Sequence, residues 1–353
     1  MTRFFSCCRA ASLAWLASLF GAGLLQAAEP APPGEIASRE MRYIASQFAG
    51  RLAGSDRDFA ASEYLYLQLS SLGYHTTFQH FDTDYQYVFA NNLRQKRLLS
   101  TRNVVAIQPG RSGKTIVIGA HLDTATTQHE VHEGVFGGPA LQGLDDNASG
   151  LGVMLELARR LAGIPTEHTL VFVGFGAKEL GRKGSQAYLA SLAPAQRSSI
   201  LLMVNLDSLL TGDQLYFTAG KQTTAANPAA GAARDRALAL AASLGVAAAT
   251  NPGRHPDYPA GTGCCSDQDS FDQAGIPVLA LEATNWTLGQ GDGYVQTSLP
   301  GITGGSSWHR PDIDNLDRLP ALLPPGRLAQ RARDSVRVLD SLLRELAQAG
   351  GQP

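Results

Sequence analysis

The chain has 353 residues, with 29 Lys and Arg against 31 Asp and Glu and a formal net charge of −2. That length suits one large α/β domain with a generous core, and the lack of any basic block argues against a nucleic-acid partner. The cysteines form two adjacent pairs, Cys7-Cys8 and Cys264-Cys265, which cannot staple distant loops, so a disulfide scaffold is excluded.

Taken in chain order, Arg3 and Arg9 flank the start of an apolar stretch from Ala10 to Leu25, which closes on Gln26-Ala27-Ala28. This is the layout of a secretory signal peptide over residues 1–28, which places the mature protein in the periplasm or outside the cell. A membrane anchor would need a somewhat longer apolar run of ~17 residues. No other stretch of the sequence is long and apolar enough to span a bilayer. Residues 29–34 read as a linker. Glu35 to Phe48 and Ala60 to Leu72 read as amphipathic helices, the second closed by Gly73. Tyr74 to Phe81 is rich in β-branched and aromatic residues, which predicts a strand. Asn103 to Gln108 and Thr115 to Ala120 read as paired strands around the turn Pro109 to Gly113. An aperiodic, Gly-containing stretch from Leu122 to Gln142 carries His129, Glu130, His132 and Glu133, and a loop of that length borders a site or moves. Ala187 to Leu192, Arg234 to Leu244 and Arg327 to Leu346 read as helical, and Pro277 to Leu281 as a buried strand. With no repeat and no second core, the expectation is α/β: a single domain over residues 35–350, with a mixed, mostly parallel β-sheet flanked by helices.

The chemistry gathers around Gly143-Leu-Asp-Asp-Asn-Ala-Ser-Gly150, directly before the apolar helical run Leu151 to Leu161. Asn147 or Ser149 is placed to cap that helix. Taken alone, this is an ordinary polar turn. Its neighbours give it weight, because apolar strands repeatedly end in polar residues of ligand type. Thr115 to Ala120 runs into His121-Leu-Asp123, Leu170 to Gly174 leads to Lys178-Glu179, and Ile200 to Val204 leads to Asn205-Leu-Asp207. An open α/β sheet builds its site at strand ends in this way. His121, Asp146, Glu179, Asp207 and His309 then form a nitrogen and oxygen ligand set without thiolates, suited to zinc, manganese or cobalt. Each is unremarkable singly; the set is not. Five ligands serve two metals only if one carboxylate is shared, the arrangement of two-metal hydrolases. Asp123 is placed to orient the His121 ring by accepting its other N–H.

These motifs resemble the secreted bacterial zinc aminopeptidases of the leucyl aminopeptidase type, a family that also includes glutaminyl cyclases. The resemblance is carried by His121-x-Asp123, by Leu141 to Ala158, by Asn205-x-Asp207, and by a late histidine at 309. Asn251-Pro-Gly253, Gly261-Thr-Gly-Cys-Cys265 and Glu282 to Gly289 add to it, and it runs from about Ile44 to the C-terminus. It implies a zinc-dependent exopeptidase fold with two zinc ions per chain, acting on peptide or protein N-termini. By resemblance Asp146 bridges the metals and the bond to Asn147 is cis. His121 and Asp207 would hold one zinc, Glu179 and His309 the other.

One position departs from the family. Two adjacent glutamates are expected, the first as general base and the second as metal ligand, but this chain reads Ala177-Lys-Glu-Leu-Gly181. Gly181 and Gly184-Ser185 hold the register, so Lys178 stands at the base position. Two metal cations beside it should depress its pKa from the reference ~10.4 and leave an amine that is at best a poor base. A charged ammonium there would instead repel the metals. Three functions follow: a metallo-aminopeptidase of altered activity, a weakened zinc protein that captures peptide N-termini without turnover, and a glutaminyl cyclase. Retention of all five ligands argues against the one-zinc cyclase. Tyr258, Asp267, Gln268 (where many relatives have His), Asp269 and Trp286 are candidates for the substrate pocket, whose acidic character would favour a basic N-terminal residue. Cys264 and Cys265 are read as structural or redox-linked, as a vicinal disulfide or two thiols, and not as nucleophiles.

Overall fold

The apolar runs that end in ligand-type residues lie side by side at the centre of one sheet. The computed structural model describes residues 31–129, 136–288, 291–296, 299, 301–302 and 307–350. Its strands are β1 (His75–Val88), β2 (Arg94–Gln108), β3 (Thr115–His121), β4 (Thr169–Phe175), β5 (Ile200–Leu206), β6 (Gln214–Ala219), β7 (Ala248–Ala249) and β8 (Val278–Thr284). They are ordered β1-β2-β4-β3-β5-β8-β6-β7. The central strands β4, β3, β5 and β8 are parallel, while β2 and β6 run against their neighbours β4 and β8, so the sheet is mixed. Parallel strands covered on both faces need continuous apolar sequence, which these supply.

The helices are α1 (Glu35–Gln47), α2 (Asp56–Ser71), α3 (Gly150–Leu161), α4 (Lys183–Ser191), α5 (Pro194–Ser199), α6 (Lys221–Ala226), α7 (Ala232–Ser243), α8 (Gln268–Gln273), α9 (Arg318–Leu322) and α10 (Arg327–Leu346). Ile116, Ile118, Phe172 and Val204 pack on one face with Met41, Met154 and Leu339 from α1, α3 and α10. The alternate residues Val117, Val171, Val173 and Met203 pack on the other with Tyr188 and Phe271 from α4 and α8. That two-residue period is the strand's own. The first amides of α1 are satisfied from α3: Glu156 accepts from Gly34 N and Ala37 N and also pairs with Arg160.

Three expectations are corrected. The strands flanking Pro109 to Gly113 do not pair, because β4 lies between them. The connection hugs the entry to β4: Arg111 N and Ser112 N donate to the Thr166 and Glu167 carbonyls, and a Cβ on Gly110 would lie 2.3 Å from the His168 carbonyl carbon. The second helix begins at Asp56 under a Ser55 cap, with Asp56 and Asp58 in its first turn. That polar turn favours the helix N-terminus but shows no apolar period. β1 and β2 form a hairpin longer than its apolar signal, since the outer part of β2 is exposed. The signal-peptide reading and Glu130, His132 and Glu133 fall outside the described residues. Among the described residues no helix is long and apolar enough to cross a membrane.

Arg51 links the fold to the site. Fully buried, its guanidinium donates to the carbonyls of Leu122 (2.7 Å), Gln142 (2.6 Å) and Gly143 (2.9 Å), joining the chain after β3 to the chain before α3. Burial lowers its pKa to about 10, against the pull of Asp314, Asp146 and Asp123, so it stays charged at neutral pH. Arg51→Met would leave three carbonyls, two of them buried, without this donor. A loss of ~3–5 kcal/mol is expected, read as a lower urea midpoint at unchanged slope. A loss below ~1 kcal/mol would show that these two segments are held by other contacts.

Candidate metal centre

Parallel strands place ligands at a common edge because their carboxyl ends point the same way. His121 is the last residue of β3, Asp207 follows β5, and Glu179 lies just beyond β4. Asp146 comes from the turn before α3, and His309 from the segment preceding α9. The two Asp146 oxygens face different histidines: Oδ1 is 3.0 Å from His121 Nε2 and Oδ2 is 3.4 Å from His309 Nε2. Around His121 stands Asp207 Oδ1 at 3.5 Å, and against His309 lies Glu179 Oε2 at 2.8 Å. All five sequence-predicted ligands therefore come together, and Glu179 Oε1 also approaches His121 Nε2, at 4.0 Å.

The donor set suits a cation. His121 Nδ1 lies 3.0 Å from the Asp123 carbonyl oxygen and donates to it, so that a neutral ring would present Nε2 to a cation. Nε2 and Asp146 Oδ1 are both buried without a hydrogen-bond partner. Buried polar atoms are normally satisfied, and these two converge on one point. One ligand atom each from His121, Asp146 and Glu179 fall within 4.8 Å of one another.

Lys178 enters the same cluster. Its Nζ is 3.0 Å from Glu179 Oε1, 3.2 Å from Asp207 Oδ2 and 3.8 Å from Asp146 Oδ1. Burial disfavours the ammonium, but Asp146, Asp207 and Glu179 outweigh it and hold its pKa well above the usual value. The expected depression rests on metal cations alongside; the protein's own groups act in the opposite direction. Glu179 and Asp207 answer in kind. Burial opposes their charge, yet His309 and Lys178 hold Glu179, and Lys178 and His121 hold Asp207, well below the carboxylate range. Glu179 in turn pushes the His309 imidazole up to about 9.

Asp123 has a different job from the one expected. Its carboxylate is 3.8 Å from the His121 ring, which takes the backbone carbonyl instead. The carboxylate accepts from the amides of Lys178 (2.9 Å) and Glu179 (3.0 Å), fixing the segment that carries both. Asn147 ties the Asp146 turn to the end of β5: its Nδ2 donates to the Leu206 carbonyl and its Oδ1 accepts from Gly150 N and Ser208 N. The Asp146–Asn147 peptide bond is cis.

The five pocket candidates do not line the cavity that holds the ligands. Trp286 is buried and packs edge-on against Tyr258 and Tyr294. Asp267 is buried, and Gln268 bridges Asn205 Nδ2 to the Cys264 carbonyl. Asp269 accepts from Cys265 N and pairs with Arg182. With Tyr258 it lines an adjoining cleft instead. The cavity that holds the ligands is walled by Arg182, Cys264, Cys265, Glu282, Tyr294 and Trp308, and Cys264 and Cys265 are joined by a disulfide. Glu282 lay in a recognised segment, but nothing local marks a strand carboxylate as facing a cavity. Asp314 is also absent from the sequence reading. It accepts from the amides of Asp145 and Asp146 and has no motif of its own.

Asp123→Asn replaces one accepting oxygen by an NH2 that opposes an amide N–H. Divalent-metal affinity should fall 10–100-fold in a chelator competition, with the circular dichroism spectrum unchanged. Unaltered affinity would mean the Lys178-Glu179 segment is held without it.

Comparisons with known proteins bear on the family and the fold. A model of Peptidase family M28 matches residues 103–322. The alkaline phosphatase isozyme conversion protein of Escherichia coli K12 is 41% identical over 319 residues, covering 90% of this chain and 92% of that one. The solved zinc aminopeptidase BSAP of Bacillus subtilis superposes with a TM-score of 0.65 at 15% identity, covering 89% of this chain and 95% of that chain. A Porphyromonas gingivalis glutaminyl cyclase gives a TM-score of 0.58 at 19% identity, covering 87% and 98%. At such identities the two structures speak for the fold alone, whereas the family match and the near full-length relative speak for descent: the chain belongs to peptidase family M28.

Proposed function

We propose that this protein is an exported zinc aminopeptidase that acts on peptide or protein N-termini, with Lys178 limiting its rate. The observation that carries the reading is Asp146, whose two carboxylate oxygens divide between His121 and His309. Such a carboxylate could be shared between two zinc ions, with His121 and Asp207 available to hold one and Glu179 and His309 the other. When bound there, zinc would polarise the scissile carbonyl and supply a nucleophilic water at neutral pH.

The chain's own groups do the rest. Glu282 lines the cavity, and its Oε1 accepts from the Tyr294 hydroxyl at 3.0 Å. Burial pushes its carboxyl up to about 8. An incoming α-ammonium or basic side chain would favour its ionised form and be held by it. That wall suits a free N-terminus and a basic first residue. Trp308 and the Cys264–Cys265 disulfide close the cavity beside it. Lys178, paired with three carboxylates, would not accept a proton as a neighbouring glutamate would. The same observation favours a second reading, a zinc protein that captures peptide N-termini with little turnover.

Positioned general-base assistance is worth ~10²–10⁴-fold, so Lys178→Glu should raise kcat/KM on free N-terminal peptides by about that factor, with KM nearly unchanged. The assay is progressive N-terminal trimming at matched zinc content, followed by mass spectrometry, with N-acetylated peptides as the uncleaved control. Equal turnover in both proteins would clear Lys178 of any rate-limiting role. If neither protein trims a peptide that both bind, the capture reading replaces the enzyme. Export makes a separate prediction: N-terminal sequencing of fractionated native protein should begin at or near Glu29, and recovery of Met1 in a membrane fraction would reverse it.

A further inference from the structure

We infer that the Lys178 ammonium takes over part of the charge that a second metal ion would supply, so the centre holds one divalent ion tightly and a second far more weakly. The inference rests on the metal-binding reading above and concerns how many ions this chain retains. Its starting point is charge. Asp146, Glu179 and Asp207 bring three negative charges, and the two histidines bind metal as neutral rings. Among the ligand carboxylates, one divalent ion plus one ammonium balances those three charges; the Asp123 carboxylate is set apart because it is bound by two backbone amides. Two divalent ions plus the ammonium leave two positive charges in a buried site, where uncompensated charge is costly. With glutamate at position 178, four carboxylates would balance two divalent ions. The change from glutamate to lysine therefore equals the charge of one metal ion.

Geometry puts that charge in the right place. Lys178 Nζ reaches one oxygen of each of the three carboxylates, at 3.0, 3.2 and 3.8 Å. On Glu179 and Asp207 it takes Oε1 and Oδ2, while the partner oxygens Oε2 and Oδ1 face His309 and His121. The ammonium thus sits between the two ligand groupings and touches the carboxylates both would use. It is not placed to swing away freely. Its side chain is 12% exposed, and its backbone amide is held 2.9 Å from Asp123 Oδ1.

The two halves are not equivalent. His121 is fully buried at the end of β3, with its ring fixed by the Asp123 carbonyl. The His309 side chain is 40% exposed. The tight ion is assigned to the His121 half and the weak one to the His309 half.

The test counts ions. Full-length wild type is titrated with zinc against a chromophoric chelator, and native mass spectrometry reports the number bound. One tight ion is expected, with the second about 100-fold weaker or more, since each tenfold corresponds to a single modest electrostatic contact. Lys178→Gln should tighten the second ion at least about tenfold, and Lys178→Glu should retain two. His309→Ala should leave the tight wild-type ion in place. Two wild-type ions with affinities within tenfold of each other would overturn the inference and leave the aminopeptidase reading standing. An unchanged second affinity in both Lys178 variants would overturn it as well. Absence of any bound zinc in all these proteins would overturn it together with the metal reading of the centre.

Discussion

The orientation of the Asp146 carboxylate is the constraint on which the centre depends. A carboxylate serves two ligand groups only if its plane is held, and here the turn around it is fixed from four directions. The Asp314 carboxylate accepts from the Asp145 and Asp146 amides at 2.7 and 3.1 Å. The Asp145 carboxylate points away from the site and accepts from Leu210 N, Thr211 N and Oγ1, and Ser307 Oγ. Asn147 clamps the turn to the end of β5, and Arg51 holds the Gly143 carbonyl on its other side. A buried polar network of this kind rigidifies when its members are satisfied, and each is costly when left alone. The adjacent aspartates thus divide the work: Asp145 anchors, and Asp146 is presented to the site.

Assembling such a centre concentrates anions at one sheet edge. Asp123, Asp146, Glu179 and Asp207 are all buried or nearly so, and burial penalises each charge. Amides relieve Asp123, and histidines relieve Asp146 and Glu179. Lys178 relieves three carboxylates at once. Glutamate in its place would add a further anion to the cluster, which would then depend more heavily on bound cations. The lysine therefore bears on the energetics of the folded chain as well as on its chemistry.

Much of the site was legible because strand ends are marked in sequence by a change from apolar to polar residues. His121, Glu179 and Asp207 follow that rule, and Asp146 follows the turn before α3. What was not legible depended on contacts between distant segments. Nothing near Asn103 to Ala120 says that β4 enters between two strands joined by a short turn. Asp123 is two residues from His121, which suggested a contact with its ring, yet β3 ends at His121 and the carboxylate turns to the amides of Lys178 and Glu179. The pocket wall was misread for a similar reason. Asp267, Gln268 and Trp286 are buried; Gln268 bonds the Cys264 carbonyl and Trp286 packs on Tyr294, both of the wall, while Glu282 reaches the cavity from an otherwise apolar strand.

Metal binding and proton transfer are separable in this centre, and the chain keeps them unequally. Ligands are held through backbone clamps that do not involve the Lys178 side chain: the Asp123 carboxylate binds the amides of residues 178 and 179 whatever side chain position 178 carries. The backbone at residue 179 is therefore held independently of the side chain at position 178, although Lys178 Nζ also pairs with Glu179 Oε1 at 3.0 Å. The lack of a carboxylate side chain at position 178 leaves these backbone clamps intact, whereas loss of Asp123 or Asp314 would remove them. A lysine makes the separation sharper than a neutral residue would, because it contributes positive charge to the ligands while withholding a proton acceptor from the reaction. On the reading proposed above, the centre would be better arranged to hold a cation than to move a proton.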